Sequence, residues 1–113
     1  MSKFPEEYLN HILQECNYIL TVSELLKKFD ELEQSEDYKR SLARSIEIIG
    51  EAAKNIPVDV KLKWNEVNWK EIMAMRNKLV HEYFGVNYLI VWDVIKNKIP
   101  SLKITVEKIL ADK

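Results

Sequence analysis

The chain has 113 residues, a net charge of −1, 47% hydrophobic residues and 31% charged residues. That length suits one domain, taken as residues 1–113, and that balance suits a soluble globular protein and excludes a strongly basic nucleic-acid-coating chain. Two glycines and three prolines leave few breakers, so long helices are favoured.

The first predicted helix starts near Pro5, with Glu6 and Glu7 at its positive end. Tyr8, Leu9, Ile12, Leu13, Cys16, Ile19, Leu20, Leu25 and Leu26 recur at helical spacing, and the pattern runs to about Phe29. MSKFPEEYLN has no apolar core after its lysine and does not read as a secretory signal. Cys16 is the sole cysteine and has no intramolecular partner, which fits a reducing, cytoplasmic setting. DELEQSED carries one large apolar residue, Leu32, and reads as a turn or a frayed polar end.

A second helix is expected from about Ser35 to Ile56, on Tyr38, Leu42, Ile46, Ile49, Ala53 and Ile56. Gly50 interrupts it, and close approach of another helix is the simplest reason for a glycine there. Pro57 ends that run, and VDVKLKW is a short helix or connector. Asn68 has the character of an N-cap, with Glu71 placed to complete a capping box. The third long helix then runs from Trp69 through Leu79 and Val80 to a stop at Gly85, and Asn87 caps a fourth. Pro100 predicts a kink or break before SLKITVEKIL. No strand alternation competes, no apolar run approaches a membrane span, and the expectation is an all-α up-and-down bundle of four to five helices.

Chemistry concentrates in RNKLVHEYF, Arg76 to Phe84. At roughly 100° per residue, Arg76 and Tyr83 fall on one line of the helix and Asn77 and His81 on a neighbouring one, whereas Arg76 and His81 lie roughly 140° apart. A bent Arg76, a helix ending at His81, or a second subunit could each bring them together. Histidine exchanges protons near neutrality, and arginine offers a permanent planar cation to phosphate oxygens. An RNA strand carries its own nucleophile, the 2′-hydroxyl, so such a pair suits metal-free cleavage of RNA, not DNA. No His, Cys or carboxylate set has metal-ligand spacing, and no cofactor is expected. On spacing alone, an Arg and a His on an amphipathic helix more often cap or pair locally, and a tyrosine such as Tyr83 more often closes a core edge. His11, among apolar residues, reads as structural or exposed.

Three stretches change that balance: RSIEIIGEAAKNIP (Arg44 to Pro57), WKEIMAMRNKLVHEYFGVN (Trp69 to Asn87) and VWDVIKNKIPSL (Val91 to Leu102). With the less distinctive YLNHILQECNYI, they resemble the HEPN superfamily, and within it the HepT-like toxins encoded beside minimal nucleotidyltransferases. The family signature is Arg, four residues, His, one residue, Tyr, matched by Arg76, His81 and Tyr83, with Asn77 in the usual polar place. WNEVNW departs from the prolines often found before the tryptophan, which touches the connector and not the site. The resemblance implies a homodimer with its site at the subunit interface. It implies a metal-independent endoribonuclease toxin acting on mRNA or tRNA, with Arg76 and His81 catalytic and Asn77 supporting. It also implies a nucleotidyltransferase antitoxin that in some systems adds AMP to the motif tyrosine, here Tyr83. The competing reading is a non-catalytic HEPN module that binds RNA or nucleotide, or holds substrate for the nucleotidyltransferase. An intact Arg–His–Tyr set favours the enzyme, and the modest charge favours the module.

Overall fold

Local stop and start signals divide the chain, and the computed structural model describes residues 5–80 and 85–112. Helix α1 (Pro5–Leu25) opens on its proline, with Glu6 and Glu7 in the first turn. It buries Leu9, Ile12, Cys16, Ile19 and Val22 along one stripe. It stops short of the expected Phe29, and part of the expected turn is itself helical: α2 spans Phe29–Glu33. The reason is local. The Glu31 carboxylate accepts from the Lys27 and Lys28 backbone N–H groups at 2.6 and 3.0 Å, and fully buried Leu32 pins the short helix to the core.

Ser35 caps α3 (Glu36–Lys54) by accepting from the Tyr38 N–H at 3.1 Å. Its buried side runs through Leu42, Ile46, Ile49 and Ala53, as the three/four spacing predicts. After Pro57, VDVKLK forms α4 (Val58–Lys63). The connector beyond it is tied down by Trp69, whose indole N–H donates to the Trp64 carbonyl at 3.0 Å. Asn68 accepts from the Glu71 N–H at 3.0 Å and starts α5 (Trp69–Val80), while the Glu71 carboxylate pairs with Lys98 at 3.2 Å. Gly85 takes a positive φ of 101°, the left-handed geometry that suits glycine. Asn87 then accepts from the Leu89 and Ile90 N–H groups and caps α6 (Tyr88–Asp93). Its own N–H reaches back to the Leu79 carbonyl.

The break expected at Pro100 takes a specific form. Residues Val94–Lys98 make a π-helical turn, closed by the Ile99 N–H on the Val94 carbonyl, before α7 (Ile99–Ala111). In α geometry the proline ring would press on the carbonyl four residues back, that of Lys96, and the wider turn relieves this. The same turn aims Lys96 at the end of α1, where its ammonium donates to the Ser23 and Leu26 carbonyls at 2.8 and 2.7 Å. Desolvation holds the Lys96 pKa below the usual lysine value.

The long helices form an antiparallel up-and-down bundle: α1 packs on α3 and α7, α3 on α5, and α6 on α5. Tyr18 of α1 donates to Ser41 of α3 at 2.8 Å, and one continuous apolar core runs from Leu9 to Ile109. Among the described residues there is no strand, and no helix is long and apolar enough to cross a membrane.

Candidate functional site

Helix α5 turns Trp69, Ile72, Met75 and Leu79 into the core. That stripe leaves Arg76 on its flank, next to α3. The two helices come close at Gly50: a Cβ there would lie 3.6 Å from Arg76 Cβ and 3.5 Å from the Ile72 carbonyl oxygen. The glycine expected to mark a close helix contact therefore lies against the backbone that carries the arginine.

Two carboxylates flank that contact, Glu47 and Glu51, one turn apart on α3. Arg76 Nε lies 3.9 Å from Glu47 Oε2, and its Nη1 lies 3.6 Å from Glu51 Oε1. Both distances exceed the usual hydrogen-bond range of roughly 2.7–3.2 Å. The arginine side chain keeps 42% of its surface exposed. Such exposed pairs contribute only about 0–1 kcal/mol each, so they orient Arg76 more than they stabilise the fold. Each glutamate has a second cation along α3: Arg44 lies 3.9 Å from Glu47, and Lys54 lies 3.6 Å from Glu51. Positions 44, 47, 51 and 54 thus form one alternating row, with Arg76 set in from across the helix gap. Three cations against two carboxylates leave this row net positive.

Asn77 is exposed, beside Arg76 on α5. His81 and Tyr83 lie outside the described residues, so the Arg76–Asn77 end of the signature is what the structure locates. Glu47 and Glu51 did not emerge from the sequence as site residues. The available signal was EIIGE, two glutamates four apart around the glycine, but their partner comes from another helix.

Comparison with known proteins follows the same residues. A family model described as ribonuclease HepT-like matches residues 12–109, which takes in Arg44, Glu47, Gly50, Glu51 and the whole Arg76–Tyr83 stretch. A protein of Caldanaerobacter subterraneus subsp. tengcongensis, named as a candidate RNase, is 47% identical over 110 residues, covering 96% of each chain. One from Methanocaldococcus jannaschii, also named as a candidate RNase, is 38% identical over 105 residues, covering 93% of this chain and 86% of its own. A Thermococcus cleftensis protein named as a probable ribonuclease HepT is 49% identical over 69 residues, covering 61% of this chain and 63% of its own. No solved structure matches the chain.

Proposed function

The chain belongs to the ribonuclease HepT-like family, and from that premise we propose that it is a metal-independent endoribonuclease, the toxin of a toxin–antitoxin pair. The observation that carries this reading is Arg76. It stands at the family's signature spacing from His81 and Tyr83, half-exposed, with its base set against Gly50 and its head between two carboxylates too distant to hold it.

In this reading the scissile phosphate displaces Glu47 and Glu51 from Arg76, since a bidentate phosphate contact is shorter and stronger than either loose pair. His81 takes the proton of the ribose 2′-hydroxyl and returns one to the leaving 5′-oxygen, while Arg76 stabilises the charged phosphorane. Asn77 supports the site from the exposed side of α5. The product 3′ end is a 2′,3′-cyclic phosphate, because the 2′-oxygen is the attacking group. The angular offset of Arg76 from His81 favours a homodimer in which two copies of α5 come together. Leu89, 64% exposed on the next helix, suits such a contact. The antitoxin is a nucleotidyltransferase that silences the site through Tyr83.

The test is cleavage of single-stranded RNA by the purified protein in EDTA. Wild type should cleave and leave cyclic phosphate ends, and Arg76→Ala and His81→Ala should each lose about 10²–10⁴-fold in rate with unchanged helicity. Loss of cleavage in EDTA, or full activity in His81→Ala, would show the mechanism to be wrong. RNA binding without any cleavage by wild type would point to the non-catalytic module.

A further inference from the structure

Glu51 belongs to two places at once. Its Oε1 faces Arg76, and the same side chain lines a cavity of about 200 Å³ in the groove between α1 and α3. Tyr8 and His11 form the α1 wall, and Arg44, Ile48 and Asn55 join Glu51 on the α3 wall. The Tyr8 and His11 rings meet edge to face, with centroids 6.5 Å apart and planes at 86°. The Arg44 side chain is 71% exposed, and the Asn55 amide nitrogen donates to the Glu51 carbonyl at 3.0 Å. Arg44 and Arg76 both lie 3.9 Å from Glu47, so one carboxylate stands between two guanidiniums. They offer two separate phosphate positions instead of one merged patch.

We propose that this groove is a nucleotide subsite for single-stranded RNA, holding the unpaired nucleotide next to the scissile phosphate. The base packs against the Tyr8 and His11 rings, its edge meets the Asn55 amide, and its phosphate lies on Arg44. Aromatic faces beside a cation are what an unstacked nucleotide requires, and a duplex would keep its bases from them. The subsite rests on the ribonuclease reading of Arg76, and it uses His11 on the exposed side of α1, where the ring is open to solvent.

The test uses the full chain and two ligands of one sequence: a single-stranded RNA for cleavage, and its non-cleavable 2′-O-methyl analogue for binding by fluorescence anisotropy. His11→Ala and Arg44→Gln change exposed side chains, so both variants should fold. Arg40→Gln removes the same charge one turn earlier on α3, outside the groove, where Arg40 is 78% exposed and pairs with Glu36. The groove variants should each raise Kd and KM about tenfold while kcat stays within about twofold. Arg40→Gln should change neither beyond about twofold. Equal losses in Arg44→Gln and Arg40→Gln would reduce the effect to the general field of the protein and overturn the subsite. Unchanged KM in both groove variants of an RNA-cleaving protein would overturn the subsite and leave the ribonuclease standing. A wild type that neither binds nor cleaves RNA would overturn both.

Discussion

Gly50 permits a sharp test of how the helix contact supports Arg76. An added Cβ would sit 3.5 Å from the Ile72 carbonyl oxygen, 3.6 Å from Arg76 Cβ and 3.7 Å from the Met73 carbonyl oxygen, all ordinary van der Waals separations. The gap between α3 and α5 is therefore one methyl wide, and Gly50→Ala should fit with α5 in place. The substitution removes a helix-interior glycine, which is worth about 1 kcal/mol, and in a domain of this size the melting temperature should rise by about 4 °C. Gly50→Leu gains the same helix preference but must push further carbons into the α5 backbone, at a cost of about 1–3 kcal/mol, so the melting temperature should fall by up to about 8 °C. The two variants should also separate in RNA cleavage. A displacement of about 1 Å at a catalytic group can lower the rate about 10²-fold, so the leucine variant should lose activity well beyond its loss of stability, and the alanine variant should keep it. Circular dichroism melts at 222 nm and initial cleavage rates measure both. An alanine variant several degrees less stable, or a leucine variant with wild-type melting and cleavage, would contradict a close α3–α5 contact at Gly50.

Co-expression with the nucleotidyltransferase proposed as antitoxin should add the mass of AMP to the Tyr83 peptide, and Tyr83→Phe should stay active yet escape neutralisation; equal neutralisation of both proteins would eliminate this control. The Glu31 carboxyl is held below its usual value of 4.5 by the Lys28 and then the Lys27 backbone N–H groups. A depressed folded pKa means stability that is present above the unfolded value and lost as pH falls through the folded one. Glu31→Gln should therefore melt below wild type at pH 7, with the difference shrinking in acid, and a gap constant down to the lowest pH would contradict the cap. Burial pushes the Cys16 thiol up to about 12, so a thiol reagent at pH 8 should label it only on unfolding, and rapid native labelling would contradict its packing.

The sequence made the long helices legible because each carries its core stripe at three/four spacing and begins or ends on a residue with one strong local preference. Ser35, Asn68 and Asn87 accept the backbone bonds expected of caps, and Gly85 has a positive φ. Helix α2 was not legible, because five residues hold too little periodicity and its stability comes from Leu32 and the Glu31 cap. The site divides the same way. Arg76 and Asn77 were named as candidates from residue type, spacing and the family resemblance, whereas the pairing of Glu47 and Glu51 with Arg76 depends on how α3 sits against α5, a register that no single helix records.

The π-helical turn bears on how this chain tolerates changes in length. The buried row of the last helices steps from Val91 to Ile95 to Ile99, then to Leu102, Val106 and Ile109. Two successive steps of four would carry an α-helical stripe roughly 80° past two full turns and off the core. The wider turn absorbs that drift, so one residue between Val94 and Lys98 counts in the sequence but not in the angular phase of the helix. A chain shorter by that residue would keep Leu102, Val106 and Ile109 facing α1, though plain α geometry would again press the proline ring on the carbonyl four residues back. What it would lose is the reach of Lys96 to the carbonyls that close α1.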